Sequence, residues 1–257
     1  MSKRRLLADA LTPVVSALIV VALWWWATVA LRIRSFFLPS PPDIVAALRR
    51  EPVYLLQELG RTAAETLAGF AIAAAAGVLI AVALTTWRTL ERATLPLLVA
   101  LNAVPKVAVA PLLVVWLGFG PQPKIVLVVL ISFFPIVLSS AAGLTATPVE
   151  LTELTRSLDA SRWQTYLRLR LPWALPQIFV GLKIGLPLAV IGVVVGEMQY
   201  GTSGLGMLIV QTSGQADTAG AFAAVGLLSL VSIVLYYALV LLERLLLPWV
   251  RATTSQR

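Results

Sequence analysis

The chain has 257 residues, 59% hydrophobic and 12% charged, and contains neither cysteine nor histidine. A soluble domain carries about 25% charged and about 45–50% apolar residues, so this composition, with a mean hydropathy of +0.91, assigns most of the chain to lipid and excludes a large soluble domain. The missing Cys and His exclude disulfide frameworks, thiol nucleophiles and the usual zinc or haem ligand sets, and the net charge of +8 speaks to membrane orientation rather than to nucleic acid.

After Lys3, Arg4 and Arg5, residues 13–31 form an uncharged run containing Trp24, Trp25 and Trp26, aromatics that suit a bilayer interface. It is longer than a signal-peptide apolar region and has no convincing cleavage site, so it reads as a retained first span. The prolines of LPSPPD, 38–43, are expected to break any helix, and the charged stretch from Arg49 to Glu65 to lie outside the hydrocarbon. Residues 66–86, rich in Ala with Gly69 and Gly77, form a closely packed second span. The third, about 95–117, is interrupted by Pro105, Lys106 and Pro111 and should be kinked. Residues 118–124 read as a short loop, and 125–144, with Pro135, as the fourth span. Residues 178–196 with Pro187 and 222–242 complete six.

Twelve of the twenty basic residues fall in the two tails and in the loops at 87–94 and 145–177, which makes that side cytoplasmic, both termini included. Against this, Arg32, Arg34, Arg49, Arg50 and Arg61 sit together in the opposite first loop.

Between spans four and five lies a polar insert, 147–176. Thr147, Pro148 and Glu150 have the pattern of a capping box that starts a helix, which Asp159 ends while capping the next. The second helix, 160–171, places Trp163, Tyr166, Leu167 and Arg170 on one face and stops near Pro172. Such a pair can lie on the membrane interface or dock a cytosolic partner.

The insert resembles the cytoplasmic signature of the permease subunits of bacterial ATP-binding cassette importers, in the nitrate, sulfonate, taurine and bicarbonate branch. That signature is EAA, three residues, Gly, nine residues, Ile-x-Leu-Pro. Glu153, Leu169, Leu171 and Pro172 occupy its positions here, while Leu154 and Thr155 replace the alanines and Asp159 the glycine. Asp tolerates the left-handed conformation better than most residues, so the turn survives the change. The resemblance extends to LPSP, to Pro105, Ala108, Pro111, Leu112 and Leu113, to Trp116, Gly118 and Gly120, and to SGLG at 203–206.

It implies an all-α, type I importer permease-like fold: one transmembrane domain over 1–257 with about six helices and a cytoplasmic coupling insert, in the bacterial inner membrane. It also implies that Glu153, Leu154, Ser157, Leu158, Asp159, Ala160, Ser161, Arg162, Trp163, Leu171 and Pro172 dock the cytosolic ATPase. The implied partners are two ATPase copies, a second permease chain, most simply an identical one, an extracytoplasmic solute-binding protein and lipid. The solute is a nitrate-, sulfonate- or taurine-like anion or related compound, or alternatively a vitamin precursor of riboflavin or thiamine-pyrimidine type.

No Gly-x-x-x-x-Gly-Lys-Ser/Thr occurs, so the chain is expected to bind no cofactor and to be no enzyme, with ATP and Mg held by the separate ATPase. A secondary transporter would call for an internal repeat and paired intramembrane acids, and an intramembrane enzyme for a catalytic set; neither is evident. Lys106, between Pro105 and Pro111, either faces the pathway or reaches carbonyls freed by the broken helix. Lys183 is expected to snorkel towards the cytoplasmic interface, Glu197 to mark the opposite end of span five, and 201–206 to form an ordered turn.

Overall fold

A computed structural model describes residues 3–86 and 88–249; Arg251 and Arg257 of the charge count lie outside them. In lipid every backbone polar group needs an internal partner, which the apolar runs meet by becoming helical. The elements are α1 (Lys3–Ala30), α2 (Pro41–Arg50), α3 (Pro52–Thr86), α4 (Arg88–Asn102), a 3-10 turn (Lys106–Val109), α5 (Ala110–Leu117), α6 (Pro121–Thr145), α7 (Val149–Ser157), α8 (Arg162–Thr165), a π turn (Tyr166–Arg170), α9 (Leu171–Tyr200), α10 (Leu205–Gly214) and α11 (Thr218–Leu246).

Among the described residues four helices are long and apolar enough to cross a membrane, and α4 with α5, bent by 72° at their break, makes a fifth candidate. The sixth expected span, α1, is not among these: the apolar stretch counted within it is Val15–Ala30, although the helix itself runs 28 residues from Lys3. The sharp bend bears out the kink expected from Pro105 and Pro111. Pro111 stands in the first turn of α5, where a missing N–H costs nothing.

The core is a three-helix stack of α3, α6 and α9, with Phe70, Ala73, Val128, Ile136, Phe179, Leu186 and Val193 buried between them. Close approach rests on glycines. A Cβ at Gly69 of α3 would lie 2.5 Å from the Val128 Cγ1, and one at Gly192 of α9 would lie 3.0 Å from the Val128 Cα. Ile136 is enclosed in the same way, by Gly77 at 2.9 Å and Gly185 at 3.0 Å. Two branched residues of α6 thus seat in paired notches of its neighbours, the small-residue packing on which helices rely where lipid supplies no hydrophobic drive.

Several sequence expectations are corrected. Pro41 and Pro42 do not prevent a helix but open α2, their missing N–H groups falling in its first turn. Ser40 caps it in a reciprocal box with Asp43, and the Ser40 backbone N–H, then its hydroxyl, holds the Asp43 carboxyl below its ordinary value. The loop expected at 118–124 ends early: α6 begins at Pro121 and takes in Lys124. The charged stretch from Arg49 to Glu65 is not a separate segment: Arg49 and Arg50 end α2, and Glu58, Arg61 and Glu65 lie in the opening turns of α3, whose 35 residues extend about 52 Å at 1.5 Å each. Pro172 does not stop the insert's second helix, since Trp163–Tyr200 is one 38-residue helix. The Leu171 N–H bonds the Tyr166 carbonyl five residues back, and this wide turn carries the helix past Pro172, which has no N–H to donate.

Candidate functional site: the insert, the broken span and a polar clamp

Thr147 does not form the expected capping box: its hydroxyl is buried without a partner, and Pro148 stands at the start of α7 with no side-chain cap. The end of α7 is well built. Asp159 has φ 55°, its N–H bonds the Arg156 carbonyl at 3.0 Å, and the Ala160 N–H bonds the Thr155 carbonyl at 3.0 Å. This is the Schellman arrangement, with Asp159 at the left-handed position that glycine most often fills. Asp159 does not cap the next helix. Ser161 does: its hydroxyl accepts from the Gln164 backbone N–H at 3.2 Å, and the Gln164 side-chain Oε1 accepts from the Ser161 N–H at 2.9 Å. The Ser-x-x-Gln spacing was the signal for that box.

Of the expected docking residues, Glu153, Leu154, Ser157, Leu158, Asp159, Ser161 and Trp163 are exposed, while Ala160, Leu171 and Pro172 are half-buried; the Arg162 side chain lies outside the described residues. Leu154, Leu158 and Trp163 are 55, 72 and 68% exposed, large apolar groups on a polar insert. The Trp163 ring stacks on Tyr166, and Tyr166 packs against the cluster of Ala81, Ala141, Leu144, Ala174 and Ile178. The insert is therefore seated on the ends of α3, α6 and α9 rather than hung from flexible loops.

At the broken span, Pro105 is extended (φ −69°, ψ 93°) and Lys106 turns back on α4. The Lys106 Nζ donates to the Asn102 carbonyl at 2.7 Å and to its Oδ1 at 2.6 Å, and lies 4.8 Å from the centroid of the Phe134 ring. The cation thus meets carbonyls that the break leaves open, at the negative end of a helix. Lys183 does not snorkel freely: its Nζ pairs with both Glu243 carboxylate oxygens at 2.9 Å, joining α9 to α11.

Sequence reasoning missed a clamp at the end of the bundle opposite the insert. Three successive N–H groups at the start of α10 are taken by side chains of other helices. The Gly204 N–H donates to Glu58, the Leu205 N–H to the Thr62 hydroxyl at 2.9 Å, and the Gly206 N–H to Glu197 at 2.7 Å. Thr62 in turn donates to Glu197 at 2.7 Å. Glu58, Thr62 and Glu197 are 3, 0 and 1% exposed. Carboxylates at a helix N-terminus accept its unpaired N–H groups and face its positive pole. Arg61 pairs with Glu58 at 2.9 Å and Lys124 with Glu65 at 2.6 Å beside it. The turn at 201–206 is thus ordered, and Gly204, at φ 103°, is where it needs glycine. Glu197 does lie in the last turn of its helix, inside rather than at the surface.

Residues 73–251 match the family model of binding-protein-dependent transport system inner membrane components. The chain belongs to this family. This permease is 35% identical over 94% of its length to the formylaminopyrimidine transport permease of Halalkalibacterium halodurans, covering 96% of that protein. It is 37% identical to the riboflavin transport system permease of Chloroflexus aurantiacus, over 90% of this chain and 88% of that one. It is 28% identical to the taurine transport system permease of Escherichia coli, over 90% and 86%. In fold it matches a chain of the inward-facing MetNI methionine ABC transporter, with a TM-score of 0.60 at 20% identity, covering 74% of this chain and 98% of that one. The permease is accordingly the multi-pass membrane subunit of an ATP-binding cassette importer, and not itself an enzyme.

Proposed function

We propose that two copies of this permease form the pathway between them, that two cytosolic ATPase subunits holding ATP and Mg grip the inserts, and that a solute-binding protein delivers cargo to the clamp end. The observation that carries this reading is the exposed apolar ridge of Leu154, Leu158 and Trp163, set on a capped helix pair and braced through Tyr166 on the three core helices. Exposed apolar patches on polar elements mark docking surfaces, and a braced pair converts a push into a shift of packed helices. Both termini lie on the insert's side, which is cytoplasmic.

The solute is a small anion of the nitrate, sulfonate or taurine class. A vitamin-precursor solute is the second reading, favoured by the higher identity to the formylaminopyrimidine and riboflavin permeases than to the taurine one. Reconstituting the permease in proteoliposomes with ATPase and binding protein encoded beside it tests the whole reading. ATP hydrolysis should rise when the loaded binding protein is added, and a rate indifferent to that protein would overturn it. In the same assay Lys106→Ala should lower uptake severalfold while ATPase assembly persists, because the opened α4 carbonyls lose their donor and the broken span its shape. Unchanged uptake would remove the pathway role of Lys106.

A further inference from the structure

The five arginines of the first loop run against the charge distribution of the rest of the chain. The stretch 32–51 holds four of them, Arg32, Arg34, Arg49 and Arg50, against two carboxylates, Asp43 and Glu51. Asp43 is turned into the Ser40 cap, and Asp217 takes Arg50 at 2.9 Å. The fifth, Arg61, is paired with Glu58. Arg32, Arg34 and Arg49 are exposed.

Arg49 and Arg50 close one end of an open groove of about 710 Å³ between α1 and α2, lined otherwise by apolar groups including Val21, Trp25, Pro42 and Val45. Trp25 and Trp26 are half or more exposed on α1, as are Phe36 and Phe37 in the turn that follows. An aromatic belt of this kind sits at headgroup depth. A ligand that fits must therefore be apolar along most of its length and anionic at the end beside the arginines.

We propose that this groove holds an anionic phospholipid, one acyl chain lying along Val21 and Trp25 and its phosphate held by Arg49, with Arg50 alongside. Guanidinium suits phosphate because its planar donors meet two oxygens at once. Lipid also accounts for the placement of the charge: the arginines stand where the bilayer itself supplies the counter-ion.

The cysteine-free chain allows a single-label test. Ala46 lines the groove and is exposed, so the full-length Ala46→Cys protein carries a bimane fluorophore there, in liposomes doped with dibrominated phosphatidylglycerol or phosphatidylcholine. Brominated chains quench on contact. Phosphatidylglycerol should reach half-quenching at about a fivefold lower mole fraction than phosphatidylcholine, the preference one arginine contributes at an anionic surface. Arg49→Gln should abolish the preference and Arg49→Lys keep most of it, and 1 M salt should weaken it in the parent protein. A label at Leu23, exposed on the face of α1 opposite Val21 and Trp25, should show no preference. Equal quenching by the two lipids at Ala46, or an undiminished preference in Arg49→Gln, overturns the proposal. So does an unquenched label at Ala46 beside a quenched one at Leu23, which would put another protein surface over the groove.

Discussion

Glu197→Ala should cost the permease about 3–5 kcal/mol and prevent its accumulation as an assembled subunit. The carboxylate, 1% exposed, accepts from Thr62 and from the Gly206 N–H. Alanine would leave both donors buried and open a cavity beside Gly204 and Gly206, whose missing side chains make the room that the carboxylate fills. Glu197→Gln should fall between, since its amide offers one acceptor to two donors. Thermal melting of the detergent-purified chain measures the effect; an alanine variant melting with the parent would show that the clamp adds nothing to stability.

The second large effect lies at the turn of the insert. Asp159 sits at φ 55°, where a β-branched residue is strained by roughly 1–2 kcal/mol, whereas glycine is not. Asp159→Val should relax that strain by re-aiming α8 against α7, which misplaces Leu158 and Trp163 together. Stimulated ATP hydrolysis in the reconstituted transporter should then fall about tenfold or more, and Asp159→Gly should retain it. If valine and glycine behave alike, the angle between the two helices is not what the ATPase reads.

How far the sequence foretold this molecule depended on the range of the interaction. The apolar runs placed the cores of α3, α6, α9 and α11, because lipid solvation is local and additive along the chain. Prolines misled at Pro41, Pro121 and Pro172, since the same residue that breaks a helix interior is welcome in a first turn or beyond a π turn. The left-handed Asp159 was legible from its place in the signature, whereas the cap that follows it was assigned to the wrong side chain. The clamp was not legible. Three of its four hydrogen bonds join residues 135 to 146 apart, and Glu58 and Glu197 in a linear reading are ordinary charges at the edges of spans. The same holds for Lys183, whose partner Glu243 lies 60 residues away. Only the packing of α3, α9 and α10 hands Glu58 and Glu197 their N–H partners, and only that of α9 against α11 joins Lys183 to Glu243.

The seating of Val128 and Ile136 limits how the bundle can move. The two side chains are eight residues apart on α6, and each is gripped from both sides by glycines of α3 and α9. Sliding α6 along its axis would drive both out of their notches at once, so axial slip is disfavoured as strongly as a key is stopped from shifting in its keyway. On the proposed coupling, a thrust delivered where α6 meets the insert would reach its far end, some 37 Å away over 25 residues, with the three helices moving as one unit. The clamp rides on that unit, and compliance is left to the 72° break between α4 and α5.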